Sequence, residues 1–317
     1  MKILITGVHG FVGNNLVDAL KNEHTIYGLD IISPIKDGVR FTFSWDFLDK
    51  PGEIPEVDAI IHLAGKAHDT KNKSAAEVYF KVNTGLTQKI FDWFLAQPSC
   101  KKFVFFSTAK AAADKVEGVL TEDVVPSPVG PYGESKIKAE RYILDALESR
   151  KDEITDKSVY IFRPCMIHGP GNKGNLNLLY NVVKKGIPYP LGAFENKRTF
   201  TSIGNICFAV EGVLTKDVPS GIYNMGDDEA LSTNELIEEI CKSLGKKAHI
   251  WKLPKGLMNG FAKVGDALHL PLNSERLRKL TENYISSNDK IKKALGVTQM
   301  PVDARKGLQK TMESFRG

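Results

Sequence analysis

The chain has 317 residues, of which 42% are hydrophobic, 26% charged and 9% aromatic, enough apolar material for one large or two smaller globular domains and a composition that excludes general disorder. Its 43 Lys and Arg against 38 Asp and Glu leave a net charge of +5, which accommodates anionic ligands but lacks the clustered basic-aromatic face of a nucleic-acid binder. No apolar run approaches the ~18 residues of a membrane span, residues 1–6 reach Gly7 too soon for a signal-peptide core, and Cys100, Cys165, Cys207 and Cys241 are scattered without a CxxC, so neither a metal site nor a disulfide framework is expected. A soluble cytoplasmic protein, with no membrane and no nucleic-acid partner, is the expectation.

In chain order, residues 2–6 form a short apolar run ending at glycine, which predicts a buried strand. Val12, Leu16, Val17 and Leu20 then fall at helical spacing across residues 12–21. Residues 24–30 and 57–63 read as further strands, residues 75–96 as helix and residues 102–107 as strand. Strands alternating with helices predict crossover units and a doubly wound parallel sheet, an α/β fold of the Rossmann type. Residues 114–131 are loop-like, a helix follows over about 133–149, and residues 158–163 form another strand. Beyond Arg163 and Pro164 the texture turns rich in Gly, Asn and Pro, then to helical segments over 228–300. Residues 1–165 with about 199–227 are expected to form the dinucleotide-binding domain, and 166–198 with 228–317 a smaller mixed α/β substrate-binding domain.

The first chemical signal is Gly7-Val8-His9-Gly10-Phe11-Val12-Gly13, a GxxGxxG run between a strand and a helix. Glycines there let the backbone turn tightly against a pyrophosphate, and the helix N-terminus turns its N–H groups and positive dipole end towards the phosphates. Asp30 closes the next strand, where an acid accepts hydrogen bonds from a ribose 2′-OH and repels a 2′-phosphate, so NAD is expected rather than NADP. Further on, Tyr132 and Lys136 stand four residues apart at a helix start, on one face. A lysine ammonium, with the positive nicotinamide of NAD⁺, favours the phenolate of a tyrosine and fits it to take a hydroxyl proton.

These residues together resemble the short-chain dehydrogenase/reductase superfamily, in its extended branch acting on nucleotide sugars, the NAD-dependent epimerase/dehydratase family. Asp46-Phe47 resembles its adenine-contacting pair, His62-Leu63-Ala64-Gly65 the segment under the cofactor, and Asn83 its helix asparagine. Ser107-Thr108 resembles the strand end where the family places its catalytic Ser/Thr, and Pro164 its Arg-Pro segment beside the nicotinamide. The resemblance therefore implies that Tyr132, Lys136 and Thr108 are catalytic. It implies that Gly7, Gly10, Phe11, Val12, Gly13, Asp30, Asp46, Phe47, Leu63, Ala64, Gly65, Asn83, Ser107, Tyr132, Lys136 and Pro164 hold NAD.

For the substrate, residues 167–175 resemble a VYGPGxKGN segment, with Asn175 reaching the diphosphate or sugar and His168, in place of Tyr, as a packed histidine. Residues 198–203 resemble the strand whose arginine binds the diphosphate, here Arg198, a good geometric match to phosphate. The resemblance also implies that Thr108 contacts substrate and that a second cation near the C-terminus binds the diphosphate, Lys279, Arg276 or Arg278, which counting does not separate. Ala109-Lys110 replaces the Asp-Glu of dehydratases, which disfavours water elimination. The closest resemblance is to a bacterial surface-polysaccharide subgroup of UDP-glucose 4-epimerases and UDP-4-keto-6-deoxy-N-acetylhexosamine 4-reductases. It implies redox chemistry at C4 of a UDP-hexose, epimerisation first and 4-reduction as the alternative, in a homodimer; a non-catalytic NAD-sensing scaffold is the alternative of another class.

Overall fold

The computed structural model describes residues 1–50, 52–67, 75–172, 174–268 and 273–316. Among them, strand β1 (Lys2–Thr6) leads through Gly7–Gly10 into helix α1 (Phe11–Leu20). Strands β2 (Thr25–Leu29), β3 (Val39–Phe43) and β4 (Ala59–His62) follow. A long helical segment is built from α2 (Ala76–Tyr79), a π turn (Phe80–Gly85) and α3 (Leu86–Ala96). Then come β5 (Lys102–Phe106), the single-turn α4 (Ala109–Ala112), β6 (Val119–Leu120), the 19-residue α5 (Pro131–Ser149) and β7 (Ser158–Pro164). The chain continues through β8 (Met166–His168), α6 (Asn175–Lys184), β9 (Phe200–Ser202), α7 (Ile203–Thr215) and β10 (Gly221–Met225). It closes with α8 (Thr233–Ser243), α9 (Lys255–Leu268), α10 (Ser274–Thr281), β11 (Ile285–Ser286), α11 (Asp289–Leu295) and α12 (Ala304–Ser314).

Seven strands form one parallel sheet in the order β10-β7-β5-β4-β1-β2-β3. Its inner strands are buried on both faces, β4 at every position, as expected where helices cover both sides. One apolar core lies between the sheet and α1, α7 and α11, through Ile3, Leu16, Val17, Ile206 and Val210. The other lies beneath α3 and α5, through Leu4, Ile60, Phe91, Phe103 and Ile143. The chain runs from β1 to β2 and β3 on one side and returns to β4, β5, β7 and β10 on the other. This places the switch point at the carboxyl ends of β1 and β4, where open α/β sheets take their ligands.

Elsewhere α6, α8 and α12 pack a separate core around Tyr180, Ile240 and Leu308, and α9 and α10 close over Leu191, Met258 and Leu277. Helix α8 starts with a full capping box, Ser232 with Glu235, a local signal that satisfies two otherwise orphaned amides. The 75–96 reading as one helix differs only in the π turn. Strand β3, whose short run shows no clear alternation, exposes Arg40 and Phe41 on its two faces, as befits a sheet edge.

Candidate active site

Four strand ends converge on the switch point. After β1, Gly7 adopts φ +68, and a Cβ there would meet the Ala64 amide nitrogen at 2.9 Å. The loop after β1 and the loop after β4 are thus in backbone contact, and only glycine allows both the turn and the approach. Gly13 is equally confined, its would-be Cβ 2.5 Å from the Val8 carbonyl oxygen, so α1 starts tightly against the turn. Asp30 accepts the His9 amide at 3.1 Å and the Ile31 amide at 2.7 Å, which ties the glycine loop to the end of β2. Asp46 is exposed just beyond β3, and Phe47 packs edge-on against Phe43. This cradle, with α1 opening towards it, fits a dinucleotide: the backbone is bare where a pyrophosphate lies and an acid stands beside it.

Thr108 caps α4 after β5, its hydroxyl accepting from the Lys110 amide at 3.3 Å, and it lies near enough to the Tyr132 phenol to favour its charged form. The approach is enforced by Gly133, where a Cβ would lie 2.6 Å from the Lys110 carbonyl oxygen. Any other residue would push α5, and with it Tyr132, away from Thr108. Lys136 is buried one turn further, its Nζ donating to the Phe106 carbonyl at 2.8 Å and lying 4.8 Å from the centroid of the Phe105 ring. Gly65 sits over that ammonium, a Cβ there being 3.1 Å from both Lys136 Nζ and Asn83 Oδ1. Burial depresses the Lys136 ammonium from 10.5 to about 8, with Glu140 pulling the other way.

The expected depression of the Tyr132 phenol is not supplied by the chain alone. Burial raises its pKa, and the nearby Thr108 hydroxyl only partly offsets this. The physical reason is placement: the Lys136 ammonium is tied to the Phe106 carbonyl, so further positive charge must come from the bound nicotinamide.

Two buried polar networks hold this constellation. The first starts at the Ala64 amide, which donates to Thr6 Oγ1, itself bonded to His62 Nδ1; His62 Nε2 then meets Thr87 Oγ1, which donates to the Asn83 carbonyl. Burial, followed by the Lys136 charge, keeps His62 well below its ordinary pKa, and the network suits the neutral ring. Asn83 donates to Ser135 Oγ at 2.9 Å and brackets the Lys66 backbone, and Ser135 Oγ donates to the Tyr132 carbonyl. The second joins Ser107, Glu140 and Arg163: Ser107 donates to Glu140, and the Arg163 guanidinium binds the same carboxylate at 2.6–3.1 Å, both charged groups fully enclosed. Glu140 was absent from the sequence reading, although it follows Lys136 by four and so shares its helical face.

On the substrate side, the 169–171 loop sits on α1. Gly171 lies beside Phe11, and Asn15 donates to the Pro170 carbonyl at 3.1 Å. Asn175 is exposed at the first position of α6, and Lys173 lies outside the described residues. Arg198 bridges the backbone of both Leu231 and Tyr284, and its Nη1 donates to the Lys279 carbonyl at 3.1 Å. Lys279 Nζ pairs with Glu275, and Arg278 with Glu282 and Asp114. His168 is buried against Thr311 and Ser202, packed rather than facing the cleft. Lys110 turns to Asp114 and the Tyr284 ring, and Ala109 is a buried methyl group, so no acid-base pair follows Thr108. No cluster able to hold a metal ion occurs among the described residues.

With this fold and site, the chain belongs to the NAD-dependent epimerase/dehydratase family, whose model matches residues 3–226. It is 31% identical over 269 residues to a UDP-glucose 4-epimerase of Vibrio cholerae, covering 80% of this chain and 78% of that one. It is 26% identical over 309 residues to the N-acetyl-alpha-D-glucosaminyl-diphospho-ditrans,octacis-undecaprenol 4-epimerase of Escherichia coli O157:H7, covering 94% and 86%. The fold matches UDP-glucuronic acid 4-epimerase from Bacillus cereus in complex with NAD at a TM-score of 0.74 and 20% identity, over 100% of this chain and 99% of that one. The protein is an NAD-dependent enzyme of the extended short-chain dehydrogenase/reductase type, which sets aside the non-catalytic scaffold.

Proposed function

We propose that this enzyme is a UDP-hexose 4-epimerase, with Thr108, Tyr132 and Lys136 as its catalytic residues. The observation that carries the reading is the convergence at the end of β5: Gly133 seats α5, and with it Tyr132, against the Thr108–Lys110 turn, and the Lys136 ammonium is buried one turn away under Gly65. The names of the Vibrio and Escherichia relatives, both 4-epimerases, support it. NAD would be held by Gly7, Gly10, Phe11, Val12 and Gly13 at the pyrophosphate, Asp30 at the adenosine ribose, Asp46 and Phe47 at the adenine, and Leu63, Ala64, Gly65, Asn83, Ser107, Tyr132, Lys136 and Pro164 along the nicotinamide half. It would supply a reversible two-electron acceptor beside the sugar C4.

The chain's own residues then handle orientation and the proton. Thr108 Oγ1 orients the C4 hydroxyl towards Tyr132. Tyr132 Oη takes the hydroxyl proton as C4 is oxidised and returns a proton to the oxygen when C4 is reduced from the opposite face. The Lys136 ammonium would favour the phenolate together with the positive charge that bound NAD⁺ would supply, and the Ser107–Glu140–Arg163 network fixes the strand end on which Thr108 stands. Arg198 binds the diphosphate, with Asn175 and Lys279 at its edges, in the smaller part formed by 166–198 and 228–317. The finished protein is proposed to work as a homodimer in the cytoplasm.

A specific observation keeps 4-reduction of a UDP-4-keto-6-deoxy-N-acetylhexosamine as the second reading. The buried alanines of α4 and the diverted Lys110 depart from the epimerase segment in the direction of the reductase subgroup. Replacement of Tyr132 by Phe removes the proton carrier and keeps the ring, so turnover should fall by about 100-fold or more with UDP binding retained. Full turnover in Tyr132→Phe would remove Tyr132 from the chemistry.

A further inference from the structure

Helix α9 has two apolar faces, and the fold covers only one of them. Met258, Ala262 and Gly265 are buried, Met258 and Ala262 against Leu191 and Leu277. Leu257, Phe261, Val264 and Leu268 follow the i, i+4, i+7, i+11 spacing of an adjacent stripe, and they are 47–64% exposed. The stripe is ~16 Å long at 1.5 Å per residue. Trp251, just ahead of the helix, is 56% exposed, and Leu280 on the neighbouring α10 is also open. Single exposed apolar residues need no explanation, but a contiguous helical stripe of them marks a contact surface.

The charge of the same region says what kind of surface. Residues 246–280 contain eight Lys and Arg and two acids, Asp266 and Glu275; Arg278 and Lys279 on α10 are paired with Asp114, Glu282 and Glu275, which leaves the lysines before and on α9 as the open cations. Lys246, Lys247, Lys252, Lys255 and Lys263 are all exposed. An apolar helical stripe beside an exposed aromatic and within a basic segment has the composition of a helix that lies in the headgroup region of an anionic bilayer.

We propose that this face docks the enzyme on an anionic lipid surface, with the α9 stripe and Trp251 entering the interface and the lysines attracted to the headgroups. A second copy of the chain fits poorly, because a two-fold contact would bring these exposed lysines against their own copies. The proposal is compatible with the finding that no helix among the described residues is long and apolar enough to cross a membrane. An interfacial helix needs no such run, which is why the sequence reading expected no membrane partner. The face also adjoins Arg198, the proposed diphosphate residue, which donates to the carbonyl of Lys279 on α10. The proposal rests on α9 and its charge, and is independent of which C4 reaction the enzyme performs.

The test is co-sedimentation of the full chain with vesicles of phosphatidylglycerol and phosphatidylethanolamine, compared with vesicles of phosphatidylcholine alone. Binding to the anionic vesicles, with a blue shift of tryptophan emission and loss in high salt, is expected. The exposed pair Leu257→Ser/Phe261→Ser, and separately Lys252→Glu/Lys263→Glu, should each lower partition by about tenfold or more with turnover and NAD binding unchanged. Absence of binding to the anionic vesicles, or binding indifferent to both variant pairs, would overturn the proposal. So would a concentration-dependent oligomer dissolved by the serine pair, which would show that a second copy covers the stripe.

Discussion

Replacement of Lys136 by Met should inactivate the enzyme and stabilise its fold near neutral pH. Burial lowers the folded-state pKa from the ordinary 10.5 to about 8. Because the charged form is the disfavoured one, the cost is fully present below about pH 8 and is relieved as pH rises from there towards 10.5. At about 1.4 kcal/mol per pH unit this amounts to about 3 kcal/mol. Methionine has a similar length and no charge. It forfeits the hydrogen bond to the Phe106 carbonyl, about 1 kcal/mol, which leaves a net gain of about 2 kcal/mol at neutral pH. Urea unfolding of NAD-free wild type and Lys136→Met at pH 7 and again near pH 10 measures the difference directly; cofactor must be absent because it stabilises by mass action. The variant should be the more stable at pH 7, and its advantage should shrink at the higher pH. A variant less stable at pH 7, or a difference indifferent to pH, would refute the reasoning.

Three other perturbations separate the parts of the site. Glu140→Gln leaves the enclosed Arg163 guanidinium, whose Nη1 already has no partner, without its counter-charge. A loss of about 3 kcal/mol or more is expected in the same unfolding assay, and a change within experimental error would contradict the buried-pair account. Gly65→Ala places a methyl group 3.1 Å from two fixed polar atoms, Lys136 Nζ and Asn83 Oδ1; NAD affinity measured by calorimetry should fall by about tenfold or more, and wild-type affinity would show that the loop yields freely. Asp30→Ala should weaken discrimination between NAD and NADP and also loosen the His9 amide; an unchanged preference would remove Asp30 from the ribose site.

Much of the fold was legible because its signals are local. The run from Lys2 to Thr6, the glycines after it and the apolar spacing of α1 lie within 20 residues, and Tyr132 with Lys136 occupies a single helical turn. What escaped was set by distant partners. The π turn over Phe80–Gly85 places Asn83 and Thr84 against Ser135 on α5, a contact that no local propensity encodes. Strand β3 is short and half exposed, and β6 and β11 have two residues each, below the length at which periodicity is readable. Glu140 and Arg163 read separately as ordinary charges until the sheet brings them together. The stripe on α9 was present in the sequence, but only the packing shows which of its two apolar faces the fold leaves open.

The central claim is tested most directly by NMR of UDP-glucose, and separately UDP-N-acetylglucosamine, incubated with the purified enzyme without added nicotinamide cofactor. The account predicts appearance of the C4 epimer of at least one substrate, with no net consumption of reductant. A folded, NAD-loaded enzyme that leaves both sugars unchanged, yet oxidises NAD(P)H in the presence of a UDP-4-keto-6-deoxy-N-acetylhexosamine, would contradict it and establish the 4-reductase.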